Sequence, residues 1–475
     1  MDSPVPPDVA LLDRFAAIVG DRYAVRDRDD ISPYITERRG LWHGKTPLVL
    51  RPGSVEEISA ILKLATETRT PVVPQGGNTG LVGGQVPDAS GSEILLSLSR
   101  LNRIREIDPL SNTVTAEAGV ILENLHKAAD EVDRLFPLSL GSQGSAQIGG
   151  NLSSNAGGTG VLAYGNAREL CLGVEVVLPT GEIFDDLRKL KKDNTGYDLK
   201  NLFVGAEGTL GVITAAVLKL VPKPKGREVA WVGLESPRAA LELFGLASDR
   251  AGGSLTAFEL IAEMPLSFAE KHAPGTIRPL ADKWPWYVLM EISSGRSAED
   301  ARDLAEHILS EGLEAGLAGD VVIAANLAQG AAFWAIREAL SDTQRPEGAS
   351  IKHDISVPVA SIPEFIERAG KAVEAVSAGA RVACFGHLGD GNLHYNVSQP
   401  VGGDAEAFLA LYRPMNKVVH DIVRDLDGSI SAEHGIGQLK RDELLATAPP
   451  TAIDLMRRVK AAFDPAGIMN PGKVI

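Results

Sequence analysis

A glycine-rich stretch in the first quarter of the chain reads Pro74-Gln75-Gly76-Gly77-Asn78-Thr79-Gly80-Leu81-Val82-Gly83-Gly84. It follows a helix-like segment, Val55 to Thr68, with apolar residues at helical spacing, and then a strand-like Val72-Val73 pair. Consecutive glycines free backbone N–H groups to form a concave nest that suits an anion. The stretch therefore predicts a loop, placed after a helix and a strand, that holds a pyrophosphate.

Two further glycine clusters follow along the chain. The second runs from Leu140 to Gly158, and the third runs from Gly205 to Thr214 and leads into a strand-like stretch, 215–221. Glycine allows a backbone to approach a ligand closely. Three such clusters in the first half of the chain predict loops that wrap one ligand.

A pair of histidines in the second half of the chain lies within the segment 385–397, which predicts two short strands around an Asp-Gly turn. With a two-residue loop at Asp390-Gly391, His387 lies directly across from His394, and both share one face with Asn396. Paired neutral imidazoles are a common metal site, although a surface hairpin also carries histidines for their polarity alone.

A Glu433-His434 pair follows about forty residues later, between a strand-like stretch, Gly428 to Ala432, and a glycine-rich turn, Gly435 to Gly437. One carboxylate would complete a site of two histidines and one glutamate. Such a set leaves a coordination position open, which is typical of catalytic zinc.

The composition excludes several classes of protein. The 475 residues predict two or three domains. The net charge of −15 argues against nucleic acid as a partner, because phosphate contacts need an excess of lysine and arginine. Two cysteines, Cys171 and Cys384, exclude a disulfide framework. No apolar run approaches the roughly eighteen residues that a membrane span needs. Residues 1–8 resemble neither a secretory signal nor a transit peptide, which predicts a cytoplasmic location.

Together, the three glycine clusters, the Gly386 to His394 motif, the Ala432 to Gly437 motif and the terminal Asp464 to Lys473 segment resemble one family. It is the D-2-hydroxyacid dehydrogenase branch of the vanillyl-alcohol oxidase flavoproteins. The resemblance covers nearly the whole chain, in order, and the joint pattern is far more specific than any one glycine loop.

The resemblance implies an α+β fold with three parts. A FAD-binding domain of two subdomains would span residues 1–224, and a Pro/Lys/Gly linker, Pro222 to Gly226, would separate it from the next domain. An α+β substrate (cap) domain with an antiparallel sheet would span 225–430. A short C-terminal helical segment, 431–475, would return to the flavin. Within the cap domain, the apolar stripe of residues 404–427 predicts a single long helix.

The resemblance also implies FAD as the cofactor. Some relatives attach FAD through a loop histidine or a cysteine, whereas the first glycine loop here carries Asn78, so non-covalent binding is expected. The first cluster would cradle the pyrophosphate, the second would line the isoalloxazine ring and ribityl chain, and the third would meet the adenosine. The implied FAD contacts are Pro74, Gln75, Gly76, Gly77, Asn78, Thr79, Gly80, Leu81, Gly141, Ser142, Ser145, Gly149, Gly150, Asn151, Ser154, Asn155, Gly157, Gly158, Glu207, Gly208, Gly211, Ile213 and Asn470.

The resemblance gives the paired histidines a role. It implies one divalent metal, with zinc the expected ion, held by His387, His394 and Glu433, and it makes His434 the general base. The implied substrate-binding residues are Arg337, Ser341, Lys352 and Asn396. Arg337 and Ser341 are spaced i,i+4 on a predicted helix, which puts both on one face. Without the resemblance, Arg337 is equally typical of a surface helix and Lys352 of a solvent-facing strand.

The implied reaction is oxidation of a D-2-hydroxyacid to the 2-oxoacid, with hydride transfer to flavin N5. Two cations favour a dicarboxylate such as D-2-hydroxyglutarate or D-malate over D-lactate or glycolate, because a second buried carboxylate needs a partner. Electrons would then pass to an acceptor such as an electron-transfer flavoprotein or a quinone. A homodimer is expected at the level of the family.

Three other classes of protein make different predictions. Gly158 to Ala163 matches part of the Rossmann dinucleotide fingerprint, but polar residues precede it where a buried strand is required. A zinc-dependent hydrolase would use the histidine site to activate water and would leave the glycine clusters without a role. A non-catalytic flavin-binding module would explain the glycine clusters and leave the metal ligands without one.

Overall fold

The structure is a computed structural model that describes residues 6–475, so the first five of the eight residues that predicted the location lie outside the described range. Seventeen α-helices lie within it. They are α1 (Val9–Val19), α2 (Arg28–Ile35), α3 (Val55–Thr68), α4 (Leu122–Asp130), α5 (Ile148–Ser153), α6 (Val161–Tyr164), α7 (Ala167–Leu170), α8 (Lys200–Phe203), α9 (Pro237–Ala251), α10 (Glu263–His272), α11 (Ala298–Glu314), α12 (Leu327–Ala339), α13 (Ile362–Val376), α14 (Ala405–Leu409), α15 (Tyr412–Asp425), α16 (Arg441–Thr447) and α17 (Pro450–Phe463).

The same range contains nineteen β-strands. They are β1 (Ala24–Val25), β2 (Val49–Leu50), β3 (Val72–Gln75), β4 (Ile94–Ser97), β5 (Ile104–Asp108), β6 (Thr113–Glu117), β7 (Arg134–Leu135), β8 (Cys171–Val177), β9 (Ile183–Asp186), β10 (Val212–Lys219), β11 (Val221–Pro222), β12 (Gly226–Leu234), β13 (Leu255–Ala262), β14 (Trp286–Ser294), β15 (Asp320–Ile323), β16 (Ser350–Ile351), β17 (Asp354–Ser356), β18 (Arg381–His387) and β19 (Asn392–Ser398). The α+β prediction is confirmed.

One compact unit consists of the chain up to Ala156 together with Asn166–Pro222 and Glu433–Ile475. It has a four-stranded sheet in the order β1-β2-β4-β3, in which β2, β4 and β3 run parallel and β1 runs antiparallel to β2. A second, five-stranded sheet in the order β5-β6-β10-β8-β9 is antiparallel throughout. Strands β7 and β11 form a separate pair.

Helix α3 shows why the sequence folds as it does in the first unit. Its N-cap, Ser54, accepts a hydrogen bond from the Glu57 N–H, and its C-cap, Arg69, adopts the left-handed conformation. Its apolar face, with Ile58 and Ile61 fully buried, packs in the same core as β3 and β4. The helix and the strand predicted before the first glycine loop are both confirmed.

The second compact unit consists of Gly157–Gly165 and Lys223–Ala432. Its eight-stranded sheet has the order β15-β12-β14-β13-β18-β19-β16, with β17 also pairing with β19, and every pair is antiparallel. Alternate side chains of β12 enter two separate cores. One core, with Phe365 of α13, contains apolar residues of α9, α11 and α15; the other contains Phe333 and Ile336 of α12.

The single helix predicted over residues 404–427 is wrong, because the segment forms two helices, α14 and α15, with Ala410 and Leu411 between them. Pro414 lies in the first turn of α15. A proline at this position has no N–H to donate to the Ala410 carbonyl, and its ring clashes with that group, so a continuous helix is disfavoured. The apolar stripe is nevertheless real, since Met415, Val419 and Val423 are fully buried.

Two shorter predictions also need correction. The strand-like stretch Gly428 to Ala432 forms no strand and contributes only an isolated bridge between Ser356 and Ser429. The strand expected at Lys352 is interrupted there, since Lys352 and His353 lie between two short strands, β16 and β17. In both places the alternation of side chains is too short to specify a continuous ladder.

Candidate active site

The two histidines of the hairpin lie on β18 and β19. Their rings share one face of the sheet, with centroids 5.9 Å apart and planes at 75°. The shared face is confirmed, but the register is wrong: His394 lies across from Phe385, and His387 lies across from Asn392. The connection explains the difference. Instead of a two-residue turn, a 3₁₀ turn over Leu388–Asp390 is followed by Gly391 in the left-handed conformation, with φ of 85°.

The imidazole of His387 is held by a buried carboxylate on the next strand, β13. His387 Nδ1 lies 2.7 Å from an oxygen of Glu259, and the two residues are direct partners across the β13–β18 pair. A carboxylate only accepts, so the proton lies on Nδ1, and Nε2 is the nitrogen that could ligate a metal. Metal-binding histidines commonly have such a carboxylate behind them.

Arg337, on helix α12, contacts the same carboxylate. Its Nε donates to the second oxygen of Glu259 at 2.7 Å, and its guanidinium lies 4.9 Å from the centre of the Phe385 ring. Burial alone would raise the pKa of Glu259, but its interactions with His387 and Arg337 outweigh burial and lower the pKa to about 2. Within the described part of the chain, Arg337 Nη2 is buried without a hydrogen-bond partner.

Two polar residues beside His394 were not singled out from the sequence. Asp354, on β17, pairs directly with His394, and Asn392 donates from its side-chain amide to an Asp354 carboxylate oxygen at 3.0 Å. Asn392 also donates to the Ile355 carbonyl at 2.9 Å. Asn396, which was singled out, is buried on β19 and lies across from Ala383. The face that carries the histidines is therefore lined by amide and carboxylate groups.

The Glu433-His434 pair continues directly from this face along the chain. Ala432 donates its N–H to the Asp354 carbonyl at 3.4 Å, and consecutive Cα atoms lie about 3.8 Å apart. Asp354, His394, Glu433 and His434 form a group of ligand-type side chains that can hold a metal ion. This group includes Asp354, which the sequence did not indicate, and does not include His387.

The other two substrate-binding candidates lie away from regular structure. Helix α12 ends at Ala339, so Ser341 lies beyond it and shares no helical face with Arg337. Lys352 donates from Nζ to the Ser341 carbonyl at 3.3 Å. The i,i+4 argument from the sequence therefore fails, although a hydrogen bond does connect Ser341 with Lys352.

In the first unit, the first glycine loop is fixed by amide side chains. Gln75 donates to the Tyr34 carbonyl at 2.8 Å and to the Gln85 carbonyl at 3.0 Å. Asn78, with φ of 53°, donates to two carbonyls of helix α2 and its C-cap. A positive φ outside glycine is uncommon, although asparagine adopts it more readily than most residues.

The first and second glycine clusters lie against each other. A Cβ atom on Gly77 would lie 1.9 Å from the Ser145 carbonyl oxygen, and one on Gly76 would lie 3.5 Å from the Gly150 nitrogen. At Gly77 only a residue without a side chain allows this approach, whereas the distance at Gly76 is an ordinary van der Waals contact. The predicted pyrophosphate loop and the predicted ring-lining loop therefore form one continuous backbone surface.

The third glycine cluster connects to the C-terminal segment through Glu207. Its two carboxylate oxygens accept hydrogen bonds from the Ile436 and Gly437 N–H groups, both at 2.8 Å. Burial raises the pKa of Glu207, and the two backbone donors only partly offset the effect. Asn470 donates to the Gly84 and Glu207 carbonyls. Glu207 thus holds the turn that directly follows His434.

Three buried polar atoms in these loops fit a bound cofactor. Among residues 6–475, Gln147 Oε1, Asn151 Nδ2 and Asn470 Oδ1 have no hydrogen-bond partner in the protein. Buried polar groups are almost always paired, so three unpaired ones in two segments, 147–151 and the C-terminal segment with Asn470, indicate a ligand with both donors and acceptors. A flavin nucleotide has both. Gln147 is the one of the three that the sequence did not indicate.

Replacing Gly77 by alanine tests the contact between these loops. We expect Gly77→Ala to destabilise the protein by about 1–3 kcal/mol, because the new methyl group meets backbone that must shift. The purified variant should also retain less FAD. Gly295→Ala is the control, since a Cβ there meets no atom within 4 Å and Gly295 is not among the residues assigned to FAD. Equal melting temperatures and flavin content in the two variants would contradict a functional role for the close contact.

Comparisons with known families agree with these features. Residues 46–186 match the family model "FAD binding domain", and residues 223–474 match "FAD linked oxidases, C-terminal domain". Among solved structures, p-cresol methylhydroxylase with substrate bound has a TM-score of 0.79 at 16% identity, covering 99% of this chain and 98% of that one. Alkyldihydroxyacetonephosphate synthase has a TM-score of 0.75 at 18% identity, covering 99% and 86%. The predicted vanillyl-alcohol oxidase type of fold is confirmed.

Curated relatives are similar over most of the chain. A protein of Arabidopsis thaliana named D-2-hydroxyglutarate dehydrogenase, mitochondrial, is 37% identical, and the match covers 97% of this chain and 80% of that protein. The protein of the same name from Danio rerio is 39% identical, with 91% and 79% covered. The D-2-hydroxyglutarate dehydrogenase of Xanthomonas citri pv. viticola is 36% identical, with 94% and 92% covered.

These names contradict one prediction. The relatives from Arabidopsis thaliana, Danio rerio, Rattus norvegicus and Bos taurus are all named mitochondrial, so the cytoplasmic location predicted from residues 1–8 is wrong by this comparison, although the bacterial relative carries no such label. Eight residues were too small a basis for the prediction. Separately, no helix among the described residues is long and apolar enough to cross a membrane. From its two matched domains and its curated relatives, the chain belongs to the FAD-linked oxidases and is an FAD-dependent oxidoreductase.

Proposed function

We propose that the enzyme oxidises a D-2-hydroxyacid to the corresponding 2-oxoacid, with D-2-hydroxyglutarate or a similar dicarboxylate such as D-malate as the preferred substrate. The observation that carries the proposal is the similarity, at 36–39% identity over nearly the whole chain, to relatives named D-2-hydroxyglutarate dehydrogenase. The paired histidines and the contact between Glu259 and His387 also support the proposal, because this arrangement is typical of a metal site.

Each polar residue has a role in this proposal. His387, through Nε2, with His394 and Glu433, would hold a divalent metal, zinc being the expected ion, and Asp354 is a further carboxylate beside His394. When bound, the metal supplies a Lewis acid for the substrate hydroxyl and carboxylate, and FAD supplies the hydride acceptor, N5. His434 takes the hydroxyl proton as general base. Electrons would leave for an acceptor such as an electron-transfer flavoprotein or a quinone, and the family expectation of a homodimer is retained.

The preference for a dicarboxylate rests on the cations. Arg337 keeps a buried N–H donor, Nη2, even though its Nε is taken by Glu259, so it can bind a substrate carboxylate oxygen. Lys352 supplies a second positive charge, and Asn396 and Ser341 supply polar contacts. A monocarboxylate would leave one of the two cations unused.

D-lactate is the second candidate substrate. A relative from Schizosaccharomyces pombe named putative D-lactate dehydrogenase is 36% identical over 94% of this chain. The same flavin and metal chemistry would serve a monocarboxylate. The two candidates differ in whether the second carboxylate contributes to binding.

One experiment tests the proposed function. The visible spectrum and the metal content of the purified protein are recorded, and D- and L-2-hydroxyacids are then added without air. We expect a yellow protein with about one metal per chain, bleached by D-2-hydroxyglutarate at lower concentration than by D-lactate and not by the L-acids. Persistent oxidised flavin with every acid in metal-replete protein would exclude the dehydrogenase and favour a non-catalytic flavin module. A colourless, metal-containing protein would favour a hydrolase.

A further inference from the structure

A single carboxylate, that of Glu259, connects two residues that the proposed function uses for different purposes. One oxygen lies 2.7 Å from Nδ1 of His387, the proposed metal ligand, and the other lies 2.7 Å from Nε of Arg337, the proposed substrate cation. The Glu259 side chain is 1% exposed. Both of its oxygens are therefore occupied, and neither contact is shared with solvent.

The location of Glu259 indicates that these contacts are not incidental. Strand β13 reads Leu-Thr-Ala-Phe-Glu-Leu-Ile-Ala, and all eight of its residues are buried, with Glu259 the one charged residue among them. A buried carboxylate is costly unless it is paired and hydrogen-bonded. Here it lies directly across from His387 in the strand pairing, and Arg337 reaches it from helix α12, so backbone structure fixes all three positions.

From this geometry we infer that Glu259 is a positioning residue that orients the metal ligand His387 and the substrate-binding Arg337 at the same time. The inference rests on the proposed function. Glu259 fixes the proton of His387 on Nδ1, so that Nε2 would be the nitrogen that ligates the metal, and it fixes the plane of the guanidinium, so that Nη2 would bind the substrate. A change at Glu259 therefore weakens metal binding and substrate binding together.

Glu291, on the adjacent strand β14, provides a control of the same kind. It is 4% exposed and lies on the same face of the sheet as Glu259, since Ala257 is its partner across the β13–β14 pair. Its carboxylate accepts from Trp334 Nε1 at 3.0 Å and from the Thr256 hydroxyl at 2.8 Å. It is thus a buried, hydrogen-bonded glutamate that contacts neither His387 nor Arg337.

The test compares Glu259→Gln with Glu291→Gln in the full-length holoenzyme. An amide has one acceptor oxygen, so the side chain introduced by Glu259→Gln can serve His387 or Arg337 but not both. We expect metal-depleted Glu259→Gln protein to bind zinc about 10- to 100-fold more weakly than wild type, when titrated against a competing chelator dye. We also expect its KM for D-2-hydroxyglutarate to rise by at least about tenfold with its FAD content unchanged. Glu291→Gln should keep wild-type zinc affinity and KM at a comparable melting temperature.

Other outcomes separate this inference from the proposed function. Zinc affinity within twofold of wild type in folded Glu259→Gln would overturn the inference, as would equal losses in Glu291→Gln. If Glu259→Gln does not fold, Glu259→Asp carries the test, because it keeps the charge but is one methylene too short for both contacts; unchanged zinc affinity there would also overturn the inference. A wild-type protein that binds no zinc, or that no 2-hydroxyacid reduces, would instead refute the proposed function.

Discussion

Purified His394→Ala protein is expected to retain FAD but to lose its metal, and D-2-hydroxyglutarate should reduce its flavin about a thousandfold more slowly than in wild type. Lewis-acid stabilisation of the developing alkoxide is worth several kcal/mol, and each 1.36 kcal/mol corresponds to about a factor of ten in rate. FAD should remain because its proposed contacts lie in other segments of the chain. Metal analysis and stopped-flow flavin absorbance without air measure the two effects.

The control for this prediction is a histidine outside the site. His307, on helix α11, has a side chain that is 57% exposed, and it interacts with Glu311 one turn away. His307→Ala should keep both the metal and the rate. If His394→Ala protein retained stoichiometric metal with a nearly normal rate, His394 could not be a metal ligand and the proposed mechanism would have to be abandoned.

The second large effect is expected in His434→Gln, whose kcat should fall by about 10²- to 10⁴-fold. Glutamine keeps the ability to form hydrogen bonds but cannot take up the hydroxyl proton. Substrate binding and metal content should change little, because His387, His394, Glu433 and Arg337 are intact. The measurement is single-turnover flavin reduction over a range of D-2-hydroxyglutarate concentrations, with metal analysis of the same sample.

Metal content decides how the His434 result is understood, since His434 belongs to the group of ligand-type side chains that includes Glu433. Slow turnover with metal retained is the behaviour of a missing base. Loss of metal to the extent expected in His394→Ala would make His434 a ligand, and the assignment of the general base would then be wrong.

The parts of the fold predicted correctly from the sequence are those with strong local signals. Helix α3 has both a serine N-cap and a clear apolar face, and β3 begins with the apolar Val72-Val73 pair that follows it. The helix predicted over 404–427 failed because the apolar stripe was given more weight than Pro414, whose effect depends on the carbonyl four residues earlier.

The register of the hairpin could not be obtained from the sequence alone. An Asp-Gly pair predicts a two-residue turn, but Leu388 is fully buried in the second unit and takes part in the connection, which is therefore longer. The prediction that the two histidines share one face is still correct. Side chains alternate between the faces of a strand, and the observed register differs from the predicted one by an even number of residues.

Two of the residues missed at the site, Glu259 and Asp354, lie outside the motifs, whereas Asn392 and Gln147 lie within them. Glu259 lies more than a hundred residues before His387, and only the fold brings them together. A signal was present nonetheless, since one acidic residue in an otherwise apolar strand implies a buried partner. Asn392 carried a weaker signal, because polar residues near a predicted turn are common.

The segment Gly157–Gly165 has a consequence for how this enzyme can be divided. It belongs to the second unit, where α6 packs against β13 and Leu162 lies against Gly389, although the residues on both sides of it belong to the first unit. The polypeptide consequently passes between the units at four points rather than one. A fragment that begins after Pro222 would lack α6, so the second unit cannot be produced as one continuous segment. The first unit is likewise made of three separate segments of the chain. Chimaeras that exchange substrate specificity between relatives would have to transplant both segments of the second unit, whereas any single crossover would divide the first unit between the two parents.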